Sequence, residues 1–168
     1  KEDDTGLSQK GGEVRDSIKI SCPDKQLNAG FKIEAGGADL YISSDLIGAV
    51  NPENLLTASK QKTRAIINTQ KIPTMPMIVG KDDFPDFGKL KEIIDSHTLK
   101  EANIYVNATE IVEKLFNNFK PTNIFLLGVA FQSAEEFPIE RPDSIEDAIR
   151  INNVEVEENI HAFRYGRL

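Results

Sequence analysis

The spacing of apolar and polar residues changes several times along the chain, and each change marks an element. From Val14 to Ile20, the apolar residues Val14, Ile18 and Ile20 share one parity, which predicts a half-exposed strand. A polar turn around Pro23, Asp24 and Asn28 leads to a short strand-like piece at Phe31–Ile33. Asp39–Ser43, Arg64–Asn68 and Ile104–Val106 are short apolar runs between polar residues, the pattern of buried strands. Met77–Val79 reads as a further strand, placed at an edge because Pro73 and Pro76 cannot donate to a central ladder.

Between these runs the period lengthens to that of a helix. Asn51 and Pro52 form an N-cap and first-position pair for a helix through Lys60. Phe87, Leu90, Ile93, Ile94 and His97 fall on one helical face, with Asp82, Asp83 and Asp86 near its positive end. Asn107 and Glu110 have capping-box spacing, and the helix they open carries Ile111, Val112, Leu115, Phe116 and Phe119 on one face. Pro121 begins a helix apolar all round, hence expected to be buried. Ser144 and Asp147 bracket the start of a short helix. A last one runs from about Val154 with Val156, Ile160 and Phe163 inward, acidic at its start and with Arg164 and Arg167 at its end.

Buried strands alternating with helices imply an α/β chain: a mainly parallel sheet covered on both faces, three layers in all. Residues 1–168 read as one domain, since no repeat, low-complexity tract or linker divides them. The chain opens at Lys1 in a charged run without a methionine, and reads as a fragment of a longer chain or complex.

Charge and cysteine content narrow the chemistry. The net charge of −7 and the scattered basic residues argue against nucleic acid, whose binding rests on phosphate neutralisation. The longest apolar stretch, Ile124–Phe131, is too short to cross a bilayer, and no signal-peptide pattern opens the chain, so a cytoplasmic protein is expected. A single cysteine, Cys22, precludes an internal disulfide, a cysteine-based zinc site or an iron–sulfur cluster held by this chain alone. With Ser21 and Pro23 beside it, Cys22 reads as an inert structural thiol.

Ligands of open α/β sheets sit beyond the carboxyl ends of the strands. Three such ends carry small polar residues, Ser43-Ser44-Asp45, Asn68-Thr69 and Asn107-Ala108-Thr109. They form either the rim of a site or the caps and turns that strand-to-helix joints require. The segment Thr5–Gly12 could turn backbone N–H groups toward an anion, with Lys10 adding charge, or be a plain surface loop. It lacks the Gly-Lys-Ser/Thr order of a phosphate-binding loop. His97 and His161 read as structural rather than catalytic, no metal spacing is present, and no self-contained active site is visible.

Thr5–Gly12, running on through Val14 and Ile18-Lys19-Ile20, resembles a signature of the gamma domain of 2-oxoacid:ferredoxin oxidoreductases, most nearly the indolepyruvate type. Ala38–Leu46, then Arg64–Thr69 with Ile72-Pro73-Thr74, resemble that family's next two strand segments. Thr122–Gly128 resembles its buried helix. Ser144-Ile145-Glu146, Ala148-Ile149, Ile151–Glu157, Asn159 and Ala162–Arg167 resemble its C-terminal block.

The resemblance implies a component of an enzyme that oxidatively decarboxylates a 2-oxoacid to an acyl-CoA. The complex would use thiamine diphosphate, magnesium, iron–sulfur clusters and coenzyme A, passing electrons to ferredoxin. This chain would bind none of these alone, would be inactive in isolation, and would supply no catalytic residue and no metal ligand. Its partners would be the thiamine-binding and iron–sulfur subunits or domains of the same enzyme. Lys10, Gly11 and Gly12 would be its phosphate or partner contacts, coenzyme A included. Gamma domains open with a strand, a glycine-rich turn and a helix that are absent before Thr5, so an exposed strand edge and a homodimer are expected. The other reading left open is a non-enzymatic interaction module that reuses this fold.

Overall fold

A computed structural model describes residues 14–20, 30, 32–133 and 141–168, and the backbone of residues 2–3. The central element is a three-stranded parallel sheet, ordered β3 (Leu40–Ser43), β4 (Arg64–Asn68), β5 (Ile104–Val106). Leu40 lies opposite Arg64 in the first pairing and Ile66 opposite Ile104 in the second. A separate two-residue antiparallel pair joins β1 (Glu2–Asp3) to β2 (Asp16–Ser17). The chain is thus mixed α/β, with its main strands where the short apolar runs predict them.

Alternation along β4 sends its side chains to two different layers. Ile66 packs on one face with Ala108 and Val112 of α5 (Ala108–Phe116), Phe125, Leu126 and Ala130 of α6 (Thr122–Ser133) and Ala162 of α8 (Val156–Gly166). Ala65 and Ile67 face the other way, onto Leu46 and Ala49 of α1 (Leu46–Ala49) and Leu90 and Ile94 of α4 (Phe87–Asp95). Helices therefore cover both faces of β4. A third cluster joins Ile145 and Ile149 of α7 (Pro142–Asn152) to Ile160 and Phe163 of α8. Among the described residues no helix is long and apolar enough to cross a membrane.

Several local expectations change for physical reasons. The helix predicted from Asn51 to Lys60 is α2 (Pro52–Leu55) only, capped by the Asn51 side chain. Its end is set by Gly36 and Ala38, whose N–H groups donate to the carbonyls of Leu56 and Thr57 and turn the chain back toward β3. Met77–Val79 is not a strand: Met75–Ile78 forms one helical turn, α3, with Pro76 in its first turn, where no N–H is needed. Residues 14–20 are strand only at Asp16–Ser17, and their apolar parity faces solvent, Val14 being 70% exposed. The opposite parity turns inward because the Arg15 guanidinium donates to Asn54 Oδ1 at 2.9 Å. Of the strand expected at Phe31–Ile33, the described residues 32–33 are irregular.

The helix ends follow simple chemistry. Asp45, Asp86 and Asn107 each accept a hydrogen bond from a first-turn N–H as N-caps. Asn117 and Asn153 end α5 and α7 in the left-handed conformation that asparagine tolerates better than most residues.

The closest approach in the helical layer is between α6 and α8. A Cβ added at Gly128 would fall inside the contact distance of the Phe163 carbonyl oxygen and 3.0 Å from Gly166 Cα. One added at Gly166 would meet the Phe125 carbonyl oxygen and lie 3.1 Å from Gly128 Cα. Both obstacles are backbone atoms, so no side-chain rotation relieves them. Gly128→Ala and Gly166→Ala should each cost about 2–3 kcal/mol, the upper range of overpacking, read as a lower urea midpoint at unchanged slope.

α7 is fastened to α8 by one carboxylate. Glu146, with its side chain 7% exposed, accepts Arg164 Nε at 2.8 Å and Arg164 Nη2 at 2.7 Å, and Arg150 Nη2 at 3.3 Å. The Arg164 hydrogen bonds hold the Glu146 carboxyl below its ordinary value of 4.5, overcoming the opposing effect of burial. A depressed carboxylate contributes stability above its unfolded pKa and loses it as pH falls through the folded one. Wild-type stability should therefore fall more steeply below about pH 4.5 than that of Glu146→Gln, which cannot ionise. Urea titrations between pH 6 and about pH 2.5 read this difference.

Candidate functional site

The polar residues at the carboxyl ends of the strands converge on Asn68, which is 1% exposed. Its side-chain amide donates to the Ser44 carbonyl at 2.9 Å and to Thr109 Oγ1 at 2.8 Å. Its Oδ1 accepts from Ala108 N at 3.0 Å, and more distantly from Thr109 N and Gln70 N. One side chain thus binds the end of β3, the turn after β4 and the first turn of α5. A buried amide with both ends satisfied behaves as a rigid strut, because breaking any bond leaves a desolvated polar group.

The neighbouring strand-end groups are similarly occupied. Ser43 Oγ donates to the Asp45 carbonyl at 2.7 Å, and Asp45 Oδ1 accepts Gly48 N at 2.7 Å to cap α1. Asn107 accepts Glu110 N at 3.3 Å and donates its own amide to Glu110 Oε2 at 2.8 Å, a capping box closed through side chains. Of the two readings of these strand ends, the geometry favours caps and turns.

Beside this strut the same edge opens into a pocket of about 410 Å³, lined by Leu46, Thr69, Lys71, Phe87 and Tyr105. Leu46 and Phe87 are the first residues of α1 and α4, and Thr69 and Lys71 follow β4. The Phe87 and Tyr105 rings meet edge to face, their centroids 6.0 Å apart at 84°. Lys71 Nζ stands 5.6 Å from the centroid of Phe84.

The Tyr105 hydroxyl points away into a second polar cluster. It donates to Asp95 Oδ1 at 2.7 Å, while Lys91 reaches Asp95 Oδ2 at 2.5 Å and Asn103 donates to Oδ1 at 2.8 Å. Burial works against ionisation of Asp95, yet the bonds from Lys91, Tyr105 and Asn103 outweigh it and hold the carboxyl below its ordinary value. Burial, and then the Asp95 carboxylate, push the Tyr105 phenol far above its ordinary range. It remains a neutral donor and is unsuited to act as a base.

Other expected sites lie apart from this edge. Lys10, Gly11, Gly12 and Cys22 lie outside the described residues. His97 Nδ1 contacts the Ile93 carbonyl and Ser96 Oγ, both at 2.9 Å, beyond the C-terminal end of α4. His161 is exposed on α8. Among the described residues no cluster of three His, Cys, Asp or Glu is placed to hold a metal. The pocket escapes motif reading because its five lining residues come from four separate segments. The only local signals are Tyr105 within an aliphatic run and Lys71 just beyond the Asn68-Thr69 strand end.

Comparison with known proteins finds no matching family model, no matching curated protein and no matching solved structure.

Asn68→Ala should strip five contacts' common partner at once and destabilise the chain by about 2–4 kcal/mol, more than one net hydrogen bond. Asn68→Asp, which keeps the acceptor but loses the amide donor to Ser44 and Thr109, should also be destabilising. Thermal and urea unfolding of both variants check this.

Proposed function

We propose that this chain is the gamma component of a 2-oxoacid:ferredoxin oxidoreductase of the indolepyruvate type, a cytoplasmic complex. It supports thiamine-dependent oxidative decarboxylation to an acyl-CoA without carrying a redox group itself. In this reading the three-stranded parallel sheet belongs to a three-layer gamma domain.

The observation that carries a component role is the apolar surface left uncovered. Ile72, Met75, Ile78 and Val79 are all exposed around α3, Ile78 at 62%. On α5, Ile111 and Leu115 are exposed at a spacing of four while Ala108 and Val112 face the core, and Phe119, in the turn after the helix, is exposed as well. Scattered apolar exposure is ordinary, but grouped exposure of this kind suits a chain that packs against another polypeptide.

Two further features support the reading. The segments resembling the gamma domain occupy structural joints: Thr122–Gly128 lies in α6, and Ala162–Arg167 holds the residues that α6 packs against. Most strand-end polar side chains, Asn68, Asp45 and Asn107 among them, are committed to joints and caps, which fits a scaffold better than a catalyst. The contacts assigned to Lys10, Gly11 and Gly12 lie outside the described residues.

Affinity capture of the tagged chain from its native cells, with mass spectrometry of the co-purifying polypeptides, tests the assignment. A thiamine-binding or iron–sulfur polypeptide should co-purify in stoichiometric amount, and the recovered complex should reduce ferredoxin with a 2-oxoacid and coenzyme A. A folded chain recovered without either kind of polypeptide would remove the assignment.

A further inference from the structure

We propose that the pocket between Leu46, Thr69, Lys71, Phe87 and Tyr105 binds a small planar anion, an aromatic ring carrying one carboxylate. The pocket sits beyond the carboxyl ends of β3 and β4, where open parallel sheets take their ligands. Its volume of about 410 Å³ falls in the range of small-molecule sites.

The lining chooses the chemistry. Phe87 and Tyr105 hold each other edge to face, and Tyr105 is further fixed because its hydroxyl is bound to Asp95 on the far side. The ring, not the hydroxyl, therefore lines the pocket. Leu46 adds an aliphatic side chain to the lining. A flat apolar body fits such walls.

The rim supplies the charge. Most strand-end polar side chains are occupied by Asn68 or the caps, but Thr69 and Lys71 are exceptions. Thr69 uses its backbone N–H on the Val106 carbonyl at 2.9 Å, and its hydroxyl has no partner among the described residues. Lys71 rests over the Phe84 ring and pairs with no carboxylate among the described residues. A carboxylate at the mouth meets one ammonium and one hydroxyl while its ring enters the apolar walls. The other hollow of similar size, lined by Glu113, Asn117, Asn118, Phe119 and Lys120, lacks this feature. There Lys120 is paired with Glu155 and Asn118 with Glu158.

Titration of the ¹⁵N-labelled full chain with 2-naphthoate, followed by amide chemical shifts, tests the site. Saturable shifts are expected at Thr69, Lys71, Phe87 and Tyr105. Lys71→Met, at an exposed position, should keep the folded spectrum and weaken binding about threefold to tenfold. The uncharged 2-naphthalenemethanol should bind the wild-type chain more weakly by a similar factor. Phe87→Leu, which keeps an apolar side chain, should weaken both ligands alike. Absence of shifts up to the solubility limit, shifts centred elsewhere, or equal affinity for wild type and Lys71→Met would each overturn the assignment. None of these outcomes depends on whether a thiamine-binding partner is found.

Discussion

The architecture depends most on the contact between two backbones, at Gly128 of α6 and Gly166 of α8. With no Cβ on either side, α8 comes to rest with Phe163 and Gly166 against the peptide groups of α6. This approach has two consequences. α6 stays thin enough to lie on the sheet through Phe125 and Leu126 while α8 stacks upon it, placing Ala162 in the same cluster as Ile66. Phe163, fully buried, then turns the other way and gathers Ile145, Ile149 and Ile160, so that α7 joins the fold through α8. Glu146 adds direction to an otherwise non-directional contact, since a carboxylate gripped by the fork of Arg164 fixes register as well as distance.

The sheet is held by asparagines at both ends of its central strand. At the start of β4, Asn103 accepts the Ala65 N–H at 3.0 Å and donates to Asp95 and Thr98. At its end, Asn68 joins the turns that follow β3 and β4 to α5. A three-stranded parallel sheet has few ladder bonds, and the backbone groups at its strand ends need partners of other kinds. These amides supply them, Asn68 from a buried position and Asn103 from a half-buried one. Asn103 also orients Asp95, and Asp95 in turn orients Tyr105, so the support of β4 reaches the wall of the pocket.

What was legible in the sequence follows from the range of each signal. β4 is legible because burial on both faces demands continuous apolar residues, seen in Ala65-Ile66-Ile67, whereas the outer strands β3 and β5 show the same apolar runs while only partly covered, Ile42 being exposed. α6 was legible for the same reason, being apolar all round. Periodicity joins Ile111, Val112, Leu115, Phe116 and Phe119 on one face, but the structure divides them: Val112 is buried, Ile111 and Leu115 are exposed, and Phe119 lies beyond the end of α5. Met77–Val79, short and apolar enough for a strand, is instead drawn into the helical turn Met75–Ile78 around Pro76. The strand-end polar residues were found as candidates, but their convergence on Asn68 spans about forty residues of sequence and has no local pattern. The pocket was missed for the same reason.

Function in this molecule follows from which groups the fold leaves uncommitted. Catalysis requires polar groups held in place yet free to exchange protons or bonds with a substrate. Here Asn68, Asp45, Asn107 and Asp95 are held in place by being occupied, and Tyr105 is kept protonated by burial and by the carboxylate it serves. Two kinds of group stand out on the surface of the described residues. The apolar groups around α3 and α5 carry no chemistry but offer area, the currency of protein association. Beside the Phe87 and Tyr105 rings, Lys71 pairs with no carboxylate and the Thr69 hydroxyl has no partner among the described residues. Among the described residues, most of the groups that could react are thus the ones that hold the strand ends, and the bonds from Asn103 to Asp95 and from Tyr105 to Asp95 carry that support to the pocket wall.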